Sequence, residues 1–64
     1  MKFHELFKVL EAGTKIAIDT GDAMLKYKVY ELGEDTLYYE EIKDRIVKEV
    51  WYSPIYNAII IELE

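Results

Sequence analysis

The sequence predicts an α+β domain: one short amphipathic helix, then strands in hairpins, arranged αββαββ. Three observations carry this. Residues 58–63 hold the longest unbroken β-branched run, Ala58-Ile59-Ile60-Ile61-Glu62-Leu63. Isoleucine is stiff at χ1 and favours a pleated strand, and a run that is apolar on both faces belongs inside a sheet. Phe3, Leu6, Phe7 and Leu10 fall at i, i+3, i+4 and i+7, which is one helical face. Gly- and Pro-bearing turns separate the alternating segments between these two ends.

In chain order, residues 2–11 are the first helix, with Val9 widening its stripe and Gly13 placed to stop it. Ten residues are marginal alone, so this helix must dock on the sheet through its phenylalanines. Residues 14–19 alternate, with Ile16 and Ile18 opposed to Lys15 and Asp19. Thr20-Gly21-Asp22 is the turn into a second strand, residues 23–31, where Leu25, Tyr27 and Val29 share one face and Lys26, Lys28 and Tyr30 the other. Asp35 or Thr36 can cap a second helix over 36–44, although Leu37-Tyr38-Tyr39 would equally suit a strand. Residues 46–52 are the third strand; their imperfect alternation predicts a bulge. Ser53-Pro54-Ile55-Tyr56-Asn57 is the loop before the fourth strand. The expected architecture is a curved antiparallel sheet of three or four strands with the N-terminal helix across one face.

Sixty-four residues make one domain, 1–64, with a thin core. There is no cysteine, hence no disulfide and no thiolate metal site. No apolar run is long enough to span a bilayer, and no signal-peptide core precedes the first helix; the reading is a soluble, cytoplasmic protein. Thirteen acids against eight bases give a net charge of −5. Glu31, Glu34, Asp35, Glu40, Glu41 and Asp44, opposed only by Lys43, account for all of it. A local negative field repels nucleic acid and anionic membrane and attracts basic protein surfaces.

No catalytic set emerges. Asp19-Thr20-Gly21 spells the aspartic-protease tripeptide, but a hairpin turn explains it, and the chain is too short for a cleft and flap. His4 is the sole histidine and has no second ligand at metal spacing, so neither a metal site nor a triad is expected. Glu40-Glu41 and Glu34-Asp35 are chain neighbours that do not face each other on a helix, hence poor acid–base partners. No Gly-rich loop cradles a phosphate, and no cofactor is expected. Six tyrosines and one tryptophan form the richer signal, because such residues anchor interfaces. Tyr27 and one of Trp51 or Tyr52 are expected in the core; Tyr30, Tyr38 or Tyr39, and Tyr56 are expected outside. Direct nucleic-acid binding would need aromatics among bases, and along this chain the bases are spread and outnumbered.

Glu5-Leu6-Phe7-Lys8-Val9-Leu10, Gly13-Thr14-Lys15-Ile16, Asp44-Arg45-Ile46-Val47 and Asn57-Ala58-Ile59-Ile60-Ile61-Glu62-Leu63 together resemble the small acidic α/β proteins of phages and mobile elements of Gram-positive bacteria. The resemblance implies a compact α/β domain without catalytic residues. Small acidic proteins of such elements include inhibitors of host defence nucleases, CRISPR effectors among them, some of which mimic the charge of DNA. The expectation is a non-enzymatic binding protein in which Glu34, Asp35, Glu40, Glu41 and Asp44 supply steering charge to a basic partner surface, and Tyr30, Tyr38 and Tyr39 supply anchors. The alternative is a small structural or assembly module that self-associates through its sheet edge or aromatic face, as a homodimer.

Overall fold

Ala58–Leu63 forms the expected strand and lies inside the sheet, flanked on both sides. The computed structural model describes all 64 residues. Element order is α1 (Phe3–Phe7), β1 (Lys15–Asp19), β2 (Met24–Lys28), a 3-10 turn (Val29–Glu31), α2 (Leu37–Ile42), β3 (Val47–Ser53) and β4 (Ala58–Leu63). The strands are ordered β2-β1-β4-β3. Both hairpins are antiparallel, whereas β1 and β4 run parallel at the centre. The expected α+β sheet with a helix on one face is therefore present, but the sheet is mixed. Alternation marks a strand without marking its direction; here the chain returns between the hairpins through the 3-10 turn and α2, which brings β4 alongside β1 in the same sense.

Both helices cover the same face. Phe3 of α1 and Tyr39 and Ile42 of α2 are buried with Val29 and Leu32 against Ile16, Ile18, Ile61 and Leu63. Leu6, Phe7, Leu10, Tyr27 and Tyr38 pack around this cluster. The register explains the selection. Ile16 lies opposite Tyr27 and beside Ile59, and Ile18 opposite Leu25 and beside Ile61, and residues paired across a ladder share a face.

α1 is shorter than its apolar stripe, ending at Phe7 rather than near Glu11. Val9 is exposed, although Leu10 still reaches the core. Tertiary contacts hold the short helix: Phe3 N–H donates to the Arg45 carbonyl at 2.9 Å, and His4 N–H to the Lys43 carbonyl at 3.0 Å. Between the strand and helix readings of Leu37-Tyr38-Tyr39, the structure takes helix, with the Thr36 hydroxyl accepting the Tyr39 N–H at 3.2 Å as N-cap. The expected bulge lies between Val47 and Glu49, where Lys48 is the extra residue. Arg45 closes the end of the sheet, donating from Nε to the Glu64 carbonyl (2.8 Å) and from Nη2 to the Thr20 carbonyl (3.3 Å).

One core assignment is corrected. Trp51 and Tyr52 are 43% and 58% exposed, so neither is core. β3 is an edge strand, and the helical layer does not reach its outer half: Val50 and Tyr52 face that layer beside Ile61 and Ile59 yet stay open.

Candidate binding surfaces

Apart from Glu31, the acidic segment belongs to the helical layer. Glu34, Asp35, Glu40, Glu41 and Asp44 are all exposed. Lys43 Nζ lies 2.8 Å from Glu40 Oε1, one turn apart on the chain, and His4 Nε2 lies 4.0 Å from Asp44 Oδ1. The hydrogen bond from Lys43 to Glu40 raises the lysine pKa. Glu34, Asp35 and Glu41 take part in no ion pair. Glu31 accepts the Lys28 N–H at 2.5 Å and belongs to the turn after β2.

The carboxylates divide over two sides of α2. Glu34, Glu40 and Asp44 border a polar depression of about 330 Å³ together with His4, Lys8, Tyr39 and Lys43. Glu41 lies on the Tyr38 side, where its charge adds to the upward shift that burial imposes on the Tyr38 hydroxyl. Neighbours on a helix point apart, as expected of Glu40 and Glu41.

The three candidate anchors have different fates. Tyr30 is 62% exposed. Tyr38 is half-buried against Tyr27, ring centroids 5.8 Å apart, and its hydroxyl is buried without a hydrogen-bond partner. Tyr39 is core, with its ring 5.3 Å from Phe7 and 6.1 Å from Phe3. Tyr39 therefore cannot anchor a partner without the core opening, because α2 turns it inward beside Ile42. A buried hydroxyl left unpaired costs about 1–3 kcal/mol. Tyr38→Phe should accordingly stabilise the protein by about 1 kcal/mol, visible as a higher urea midpoint at unchanged m-value. A fall in the midpoint would show that the hydroxyl is satisfied in solution.

The sheet face away from the helices carries a surface that linear reading missed. Lys15 pairs with Lys28, and Lys26 lies two residues along the same strand face. With Tyr56, Ala58 and Glu31 these lysines border a second depression of about 190 Å³. Lys26 Nζ sits 4.3 Å from the centre of the Tyr56 ring, within cation–π range. The bases are dispersed along the chain, but strand pairing gathers three of them. The signal available in the sequence was period-2 spacing of Lys26 and Lys28 opposite Lys15 across a two-strand turn.

The remaining chemical candidates resolve into structure. Asp19 Oδ1 accepts the Gly21 N–H at 2.9 Å, and Gly21 takes φ 91°, so Asp19-Thr20-Gly21 serves the hairpin turn. No group of three His, Asp or Glu side chains lies close enough to hold a metal ion. No helix is long and apolar enough to cross a membrane. No protein-family model, curated protein or solved structure matches this chain.

Proposed function

We propose that the chain is a non-enzymatic binding module of the inhibitor type, which lays its acidic helical layer against a basic, nucleic-acid-binding surface of another protein, such as a host defence nuclease. The observation that carries this reading is the exposure of Glu34, Asp35, Glu40, Glu41 and Asp44 around α2, with Glu34, Glu40 and Asp44 on one side of it and Glu41 on the other, and only Lys43 and His4 engaging any of them. Lys15, Lys26 and Lys28 lie on the opposite face of the sheet, too far round to neutralise that field. Such carboxylates steer a basic partner and set the association rate, while apolar contacts hold the complex. Of the proposed tyrosine anchors, Tyr30 alone stands free.

The test is kinetic. With a nucleic-acid-binding enzyme of the source cell as partner, the double substitution Glu40→Lys and Glu41→Lys should slow association about tenfold or more at low salt and flatten its dependence on ionic strength. The unsubstituted chain should also compete with oligonucleotide for the enzyme. An unchanged rate and salt slope would sink the proposal.

A further inference from the structure

The helix-free face of the sheet is ordered by charge. Its residues fall into three rows running across the strands. In the first, Met24 lies opposite Asp19, Asp19 beside Glu62, and Glu62 opposite Glu49. The second is Lys26, Ala17, Ile60 and Trp51. The third is Lys28 opposite Lys15, followed one register step on by Ala58 opposite Ser53. Three carboxylates thus line one end and two opposed lysines the other.

Like charges directly opposite one another destabilise a ladder. This face has such pairs at both ends, and none of these groups takes part in an ion pair. Asp19 accepts only the Gly21 N–H of its own turn, and Glu62 Oε2 accepts the Trp51 indole N–H at 2.7 Å. The rows cannot neutralise each other. Lys15 and Asp19 are four residues apart on one strand, roughly 13 Å, which exceeds the screening length of about 8 Å at physiological salt.

We infer that this face is the interface of a homodimer, two copies stacking sheet on sheet about a twofold axis that lies between them along the Ala17–Ile60 row. That rotation reverses strand direction and lays the carboxylate row of each copy over the lysine row of the other. Asp19 meets Lys15 of the second copy, and Glu62 lies diagonally across from the same lysine. Symmetry makes each contact twice. The depression bordered by Lys15, Lys26, Lys28 and Tyr56 receives the Asp19 carboxylate; Glu31 is the one acid already at its edge. Ala17, Ala58 and Ser53 keep the centre low, which suits sheets packed about 10 Å apart. Trp51, 43% exposed, stacks on its counterpart near the axis. Lys26, on edge strand β2, meets its own counterpart at the end of the axial row, and the Tyr56 ring 4.3 Å from its Nζ takes up part of that charge.

The two longer extents of the molecule, 28 and 23 Å, cap such a face at roughly 600 Å², below the ~800 Å² per partner of a standard interface; Ala17, Ile60, Ala58 and Ser53 are already buried within it, so the contact is made by the side chains around them and the dimer is a weak one. A single-stranded nucleic acid would satisfy the lysines and stack on Tyr56, but it would meet Asp19, Glu62 and Glu49 along the same face. Pairing through the free edge of β3 would leave both charged rows without partners. The second copy is the occupant that pairs Asp19 with Lys15 twice and brings Glu62 diagonal to the same lysine, and it leaves the acidic helical layer outward.

Sedimentation equilibrium from micromolar to millimolar protein tests this. The unsubstituted chain should dimerise reversibly. Lys15→Glu and Asp19→Lys should each weaken the dimer at least about tenfold, because each sets like charges together twice. An equimolar mixture of the two variants should dimerise again, since one native and one exchanged ion pair form across the axis. Far-UV circular dichroism confirms that each variant folds; should Asp19→Lys fail, Glu62→Lys replaces it. A monomer at every concentration overturns the inference. So does a dimer indifferent to both substitutions, which would mean β3 edge pairing. Folded variants that do not recover on mixing also overturn it, as does a monomer that binds labelled single-stranded oligonucleotide and loses it on Lys15→Glu.

Discussion

Replacing Phe3 with alanine is expected to leave the protein largely unfolded at room temperature. Phe3 is fully buried and stacks 5.4 Å from Phe7, at the point where α1 meets both α2 and the sheet. Removing a buried aromatic ring costs about 3–5 kcal/mol through lost transfer energy and the cavity left behind. A domain of this length has only about 3–10 kcal/mol of net stability, so one ring is a large fraction of the whole. The effect should exceed a simple cavity cost, because α1 has five residues and no helix that short persists without its docking contacts. Its backbone bonds to Arg45 and Lys43 should be lost with it. Urea denaturation followed by circular dichroism measures this, with Val9→Ala as control, since Val9 is 76% exposed and should change stability by less than about 0.5 kcal/mol. A Phe3→Ala midpoint close to that of the control would mean that α1 is not part of the cooperative core.

The elements that could be read from the chain were those whose pattern matches a local period. The isoleucine run gave β4 its position and its bounds, because burial on both faces leaves one place for such a strand. The hairpin at Gly21 followed from turn chemistry, and the bulge at Lys48 from broken alternation. α1 was overextended because the stripe continues through Leu10: periodicity records which residues reach the core, and Leu10 does reach it, from a turn. Strand direction was not legible, since nothing in a residue marks whether its neighbour runs parallel. The lysine cluster was legible only once the hairpin register is known, because it is the pairing of Lys15 with Lys28 that gathers bases spread along the chain. Tyr38 and Tyr39 were legible only as a pair of aromatics; helix phase at α2, set by the Thr36 cap, decides that one wedges beside Tyr27 and the other enters the core.

That last distinction gives the second large expected effect. Tyr39→Ala should cost about 3–5 kcal/mol, comparable to Phe3→Ala, because the same aromatic cluster loses a ring. Tyr30→Ala should change stability by less than about 0.5 kcal/mol and act on partner binding instead. The two tyrosines therefore separate folding from recognition in paired measurements of urea midpoint and association. Alkaline titration adds an independent check. Burial raises the hydroxyl pKa of Tyr39, and the nearby charge of Glu34 raises it further. A folded-state value above the unfolded one means that the native state holds its proton longer. The contribution is complete below about pH 10 and is lost as pH rises through the folded value. Tyr39→Phe keeps the ring and removes the ionisation, so it should fold normally and lose less stability above pH 10 than the unsubstituted chain. Equal alkaline loss in both would place the Tyr39 hydroxyl in water, and with it the helical face that the core packing assigns to α2.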